Sequence, residues 1–311
     1  MQILRDIMPK MLEFFYTLMG LIVLYTAIVN LRDKTNSKRI TTALFWGIFG
    51  IDLAFGKYLP SQIVGITVLI MALIPVFGGV KIGKNTEYSK EYSKIQADKF
   101  GNKIFIPALV IGLGAVSFAI LKLNAIVGVS VGVILSVIIL MVMNKDNTPK
   151  VFLDDSKKLL DTVGSLSLLP ILLAILGAIF NEAKVGEAVS SLVVSVIPQG
   201  NLVLGIIVYA IGMTLFTMIM GNAFAAITVM TTGIAAPFVF EYGGNPILIG
   251  MLGLTCGYCG TLLTPMAANF NIVPVALLEM KDKNGVIKKQ IIPSLLILIF
   301  QICMMIFIGM K

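Results

Sequence analysis

Histidine is absent from all 311 residues, and with it go the usual general base, the commonest metal ligand and the helical zinc motif of membrane metalloproteases. A Ser-His pair is therefore excluded. No phosphate-cradling G-x-x-x-x-G-K-[ST] stretch occurs either, so direct ATP use is not expected and an enzyme reading loses most of its machinery. Charge is also scarce: 13% of residues are charged against 58% hydrophobic, with a mean hydropathy of +0.97 that no water-soluble domain could display. What remains is an integral membrane protein. Its polar connectors are too short to bury a soluble core, so residues 1–311 read as one transmembrane domain.

Apolar windows of spanning length lie at 14–31, 40–56, 60–80, 104–121, 123–143, 165–180, 201–220, 222–240, 246–280 and 291–310. The expected fold is all-α and polytopic, with about ten crossings. Lys and Arg test that count. The connectors Arg32 to Arg39, Lys81 to Lys103, Lys145 to Lys158 and Lys281 to Lys289 hold eighteen, and the opposite set holds six: Arg5, Lys10, Lys57, Lys122, Lys184 and Lys311. The positive-inside bias puts the first set in the cytoplasm and both termini outside. It also accounts for the net charge of +8 without a nucleic-acid partner. The first apolar run has no small-residue cleavage site after it and reads as a retained helix. Five spans (1–143) precede the charged connector and about five (162–311) follow it, an odd count per half that an inverted-topology repeat requires. The segment Asn181 to Pro198 is amphipathic and suits an interfacial helix or half of a re-entrant pair.

Two C-terminal runs break the pattern. Met220 to Pro237 (MGNAFAAITVMTTGIAAP) places Gly221, Asn222, Thr228, Thr231 and Thr232 among apolar side chains and is expected to stop at Pro237. Gly250 to Glu279 carries Thr255, Gly260, Thr261, Thr264, Pro265, Asn269 and Asn271 without a charge before Glu279. Unsatisfied backbone costs several kcal/mol in lipid, so broken helices persist at membrane depth only where protein encloses a cavity. A break exposes amides at one half-helix start, which attract an anion, and carbonyls at another half-helix end, which attract a cation. These eleven Gly, Thr and Asn positions are thus the candidate substrate or ion site, with Na⁺ bound at the same residues if sodium is the coupling ion. Close helix packing is the alternative, and it explains the glycines better than it explains Asn222 or the Thr231–Thr232 pair. Asn269 and Asn271, two apart, face one site only if the chain is unwound there.

Cys256-Gly-Tyr-Cys259 has the spacing of a thiol-disulfide exchanger but lacks the preceding strand and exposed helix start which that chemistry needs. Small apolar packing is the simpler reading, and it also suits Cys303 in the last helix. Asp52 lies inside the second span, where a charge costs on the order of 2.5 to 3.5 kcal/mol unless it meets water or a partner. It is the candidate for a coupling proton, the alternative being an interfacial ion pair with Lys57.

The runs MGNAFAAITVMTTGIAAP and GLTCGYCGTLLTPMAANFNIVP carry a resemblance that covers essentially the whole chain: the sequence resembles the membrane family termed domain of unknown function 979, within the ion transporter superfamily. The resemblance implies one subunit of a secondary transporter for 5-oxoproline (pyroglutamate) in the bacterial inner membrane. It also implies Na⁺ or H⁺ coupling with no other cofactor, and a second, smaller membrane subunit or a further copy of the chain as partner. By analogy, the region around Asn222 and that from Thr264 to Asn271 would form the two hairpin tips. The N-terminal half shows no comparably polar break, a departure from the superfamily pattern that leaves it as scaffold or leaves a partner to complete the site.

Overall fold

A computed structural model describes residues 2–83, 90–194, 200–278 and 280–310. Among the described residues every regular element is helical. The chain forms two compact units, Met1–Gly164 and Ser165–Lys311.

In the first unit α1 (Gln2–Arg32) packs along α2 (Arg39–Phe55), and α3 (Ser61–Val76) follows on α2. The α1–α2 approach is close because Gly20 and Gly50 sit at the crossing, where a Cβ on Gly20 would lie 2.6 Å from that of Ala54. Helix α4 (Lys90–Phe100) leads through a 3₁₀ turn into α5 (Ile106–Ile120), which pairs with α6 (Ala125–Met143). Asn124 caps α6 by accepting from the Ile126 and Val127 amides. The unit closes with α7 (Pro149–Val163), an amphipathic helix capped by Thr148 that lies on α1.

The second unit contains α8 (Leu169–Glu182), α9 (Val185–Val194), α10 (Leu202–Met220) and α11 (Ala223–Met230), the last running directly into a π-helix, Thr231–Phe240. It continues with α12 (Pro246–Leu262), two one-turn helices α13 (Ala268–Asn271) and α14 (Val273–Leu277), and α15 (Gly285–Gly309). Its core joins Ile206, Tyr209 and Met213 of α10 to Ile234 and Val239 of the π-helix, Ile249 and Cys256 of α12, and Met305 of α15.

Nine of the ten apolar windows are each centred on one helical stretch, and the tenth, 246–280, is divided among α12, α13 and α14. Eight helical stretches among the described residues have the length and composition of a crossing, while Ser61–Val76, Pro246–Leu262 and Ala268–Leu277 are shorter. Apolar side chains point outward throughout, with Phe77, Val142, Ile247 and Phe307 all more than 70% exposed, as a lipid-facing surface requires.

Three expectations are corrected. The chain does not stop at Pro237: the helix widens to π geometry and continues to Phe240, which accommodates the proline's missing N–H and its crowding of the preceding turn. The second run is unbroken as far as Leu262, so Thr255, Gly260 and Thr261 lie within a continuous helix, and the first irregular stretch is 263–267. Helix α9 packs against the π-helix, where Gly186 meets Thr232 and Gly233, and the end of the amphipathic segment, 195–198, lies outside the described residues. Cys303 is exposed, not packed.

Candidate functional site

Both C-terminal interruptions meet inside the second unit. Helix α10 ends at Gly221, whose φ of +69° is the left-handed conformation that terminates helices. A Cβ on Gly221 would lie 2.7 Å from the Met266 carbonyl oxygen, in the irregular link after α12. Thr264, in the same link, donates its hydroxyl to the Met218 carbonyl at 2.8 Å, filling an acceptor that the end of α10 leaves open. The breaks are therefore tied to each other.

Asn271 organises the link. It is fully buried, and its side-chain amide donates to the Thr261 and Thr264 carbonyls at 2.7 Å each, capping the end of α12 from nine residues beyond it. Its carbonyl Oδ1 is buried with no hydrogen-bond partner, and so is the Thr217 hydroxyl one turn before the end of α10. Gly257 presses on Thr217 and Gly260 on its Cβ, at 3.1 and 3.0 Å from the Cβ that each glycine lacks. Asn269 is exposed and does not share this environment: on a single helical turn, positions two apart face different ways, so the expected Asn269–Asn271 pair is not formed.

On the other side of the break, Asn222 accepts from the Phe224 amide at 2.9 Å and caps α11. The start of α11 lines an open cavity of about 260 Å³ with Asn222, Phe224, Ala225 and Thr228, opposite Ala174, Gly177 and Ala178 of α8. The wall is neutral, small and polar at one end, where the positive end of a helix dipole meets it. Thr228 donates to the Ala225 carbonyl, and Thr232 to the Thr228 and Val229 carbonyls. Thr231 lies 3.2 Å from the Tyr209 hydroxyl in the core. Thr255 and Thr261 donate within α12, to the Leu252 and Tyr258 carbonyls. The structure thus groups Gly221, Thr264 and Asn271 at the junction and Asn222 and Thr228 at the cavity. Thr231, Thr232, Thr255, Gly260 and Thr261 stand in packed helix, where close approach explains them.

Cys256 and Cys259 are buried free thiols in the middle of α12. Their backbone carbonyls accept from Thr214 and Ser294, and the Cys259 thiol faces Gln301 at 3.7 Å.

In the first unit Asp52 does not pair with Lys57, as the sequence suggested it could. Lys57 pairs with Glu13, and Asp52 Oδ2 lies 2.7 Å from the Thr67 hydroxyl. This unit also holds a polar cluster that hydropathy missed. Lys157 and Asp161 of α7 form an ion pair at 3.0 Å with side chains only 5% and 1% exposed, and the Asn30 amide donates to Asp161 at 2.9 Å. Tyr25 donates to Asp154 one α7 turn earlier. The chain beside them is extended: Thr41 donates to the Gly79 carbonyl and Asn36 to that of Lys81, and a Cβ on Gly83 would lie 2.8 Å from Asn30 Oδ1. The signal was the charge periodicity of α7 together with a lone Asn30 at the end of an apolar run.

Helices interrupted at one junction, uncharged polar groups around it and an apolar exterior define a polytopic α-helical membrane protein. The family described as "Protein of unknown function (DUF979)" matches residues 13–310, and the chain belongs to it. No curated protein and no solved structure gives a match.

Proposed function

We propose that this chain is a secondary transporter subunit that carries a small organic anion, with 5-oxoproline the substrate that the family resemblance suggests. The observation that carries the reading is the junction itself: two interrupted helices tied by Thr264 and Met218 beside a cavity lined by Asn222 and Thr228. Interrupted backbone at membrane depth is tolerated where it serves a solute. In this reading the α11 start and Asn222 hold the carboxylate, while Thr228 meets the lactam. The unpartnered Asn271 and Thr217 oxygens suit a sodium ion, and Asp52 suits a proton. The chain acts as a carrier, not an enzyme, in the bacterial inner membrane with both termini outside, beside a smaller membrane subunit or a second copy of itself.

Uptake of labelled 5-oxoproline by cells that express the chain with its partner tests this. Asn222→Ala and Asn271→Ala are each expected to lower uptake at least tenfold, and Asn269→Ala to leave it within about twofold. Asn271→Ala also leaves two buried carbonyls without their donor, at about 1–3 kcal/mol each, so protein level is measured alongside. Unchanged uptake in Asn222→Ala and Asn271→Ala would remove the site.

A further inference from the structure

Thr67 makes two short contacts with one hydroxyl: 2.7 Å to Asp52 Oδ2 and 2.8 Å to the Val64 carbonyl. Oxygens at such separations need a hydrogen between them. Thr67 supplies one. The Val64 carbonyl has none to give, so a neutral Asp52 carboxyl donating to Thr67 satisfies both contacts, whereas a carboxylate leaves one hydroxyl hydrogen shared between two acceptors. Two further observations agree. Asp52 makes no ion pair among the described residues, since Lys57 is engaged with Glu13. Its other oxygen, Oδ1, is buried without a partner, an arrangement far less costly for a neutral acid than for a carboxylate.

The surroundings provide a route. A cavity of about 360 Å³ is lined by Asp52, Glu13, Tyr16, Thr17, Lys57 and Tyr58. Lys57 is 64% and Glu13 35% exposed, so the pair stands at a solvent-facing mouth. The ionisable groups around Asp52 are thus Glu13 and Tyr16 from α1 and Lys57 and Tyr58 from the turn after α2; α3 contains none.

We propose that Asp52 holds a proton in this structure and exchanges it with solvent through that cavity. In the held state the carboxyl donates to Thr67, which donates to Val64. On release the proton passes to water in the cavity and leaves a carboxylate. Thr67 turns its hydrogen to that carboxylate, and Lys57, the cation lining the same space, supplies the counter-charge by leaving Glu13 to solvent. This deepens the transport reading by making the coupling ion a proton held in the first unit, and rests on that reading only for its purpose.

Infrared difference spectroscopy of the purified chain in lipid at neutral pH reads the proton directly. The expected result is a protonated-carboxyl C=O band that is lost in Asp52→Asn and displaced in Thr67→Ala, which removes the acceptor of the carboxyl hydrogen. If Asp52→Asn does not fold, the displacement in Thr67→Ala decides. A parent protein without such a band, or a band that neither variant alters, overturns the proposal. Because the band does not depend on uptake, its absence alongside normal uptake sinks only this inference, and its presence without uptake of any organic anion sinks only the carrier reading.

Discussion

Lys157→Met is expected to destabilise the first unit by about 3–5 kcal/mol, the range for removing one partner of a buried ion pair. The methionine fills most of the lysine's volume but leaves the Asp161 carboxylate, 1% exposed, without its cation and beside the Asn30 amide. The second substitution discriminates. In Lys157→Met/Asp161→Leu the Asp161 carboxylate is no longer stranded, and Asn30 keeps its bond to the Thr26 carbonyl at 3.1 Å. The double variant is therefore expected to recover most of the loss. Denaturant unfolding in mixed micelles measures both. If the single variant falls by less than about 1 kcal/mol, the pair is not the anchor of α7. Surface pairs provide the scale: Lys184–Glu187, with both side chains more than 70% exposed, should be worth at most about 1 kcal/mol.

Gly221→Asn should destabilise the junction in the second unit. Asn tolerates the left-handed conformation better than other side chains do, so the backbone penalty is small. The space is the obstacle, since the new Cβ would lie 2.7 Å from the Met266 carbonyl oxygen and 2.8 Å from its carbon, both backbone atoms. Forcing such an overlap typically costs about 1–3 kcal/mol, and here the shift would also strain the Thr264 bond to Met218. Gly243 is the control. Its φ is +95°, yet nothing lies within 4 Å of a Cβ built there. Gly243→Asn is expected to stay within about 1 kcal/mol of the parent and to keep full uptake, while Gly221→Asn loses both stability and uptake. Equal behaviour of the two variants would show that the breaks do not depend on close contact.

The sequence located the interruptions through Gly221 and Asn222 in the first run and through Thr264 and Pro265 in the second, residues that do not continue a helix. It misplaced where the second begins, because Gly257 and Gly260 look like breakers. In the fold they are packing surfaces that let α12 press on Thr217 of α10. The Asn269–Asn271 spacing was read as one site, whereas a single turn of helix sends one side chain to the core and the other outward. Nor could hydropathy find Asn30 together with Lys157 and Asp161, since Asn30 lies more than 120 positions from the pair and looks unremarkable at the end of its own segment.

Composition and charge placement alone determined that this chain is a bundle of helices in a bilayer, because 58% hydrophobic residues with 13% charged ones allow no other solvent. Which polar groups meet was decided only by tertiary structure. A buried hydrogen bond such as Asn271 to Thr261, or a buried pair such as Lys157 with Asp161, depends on distances set by how helices pack. Local sequence fixes where a helix can start or stop, but not what its end will face.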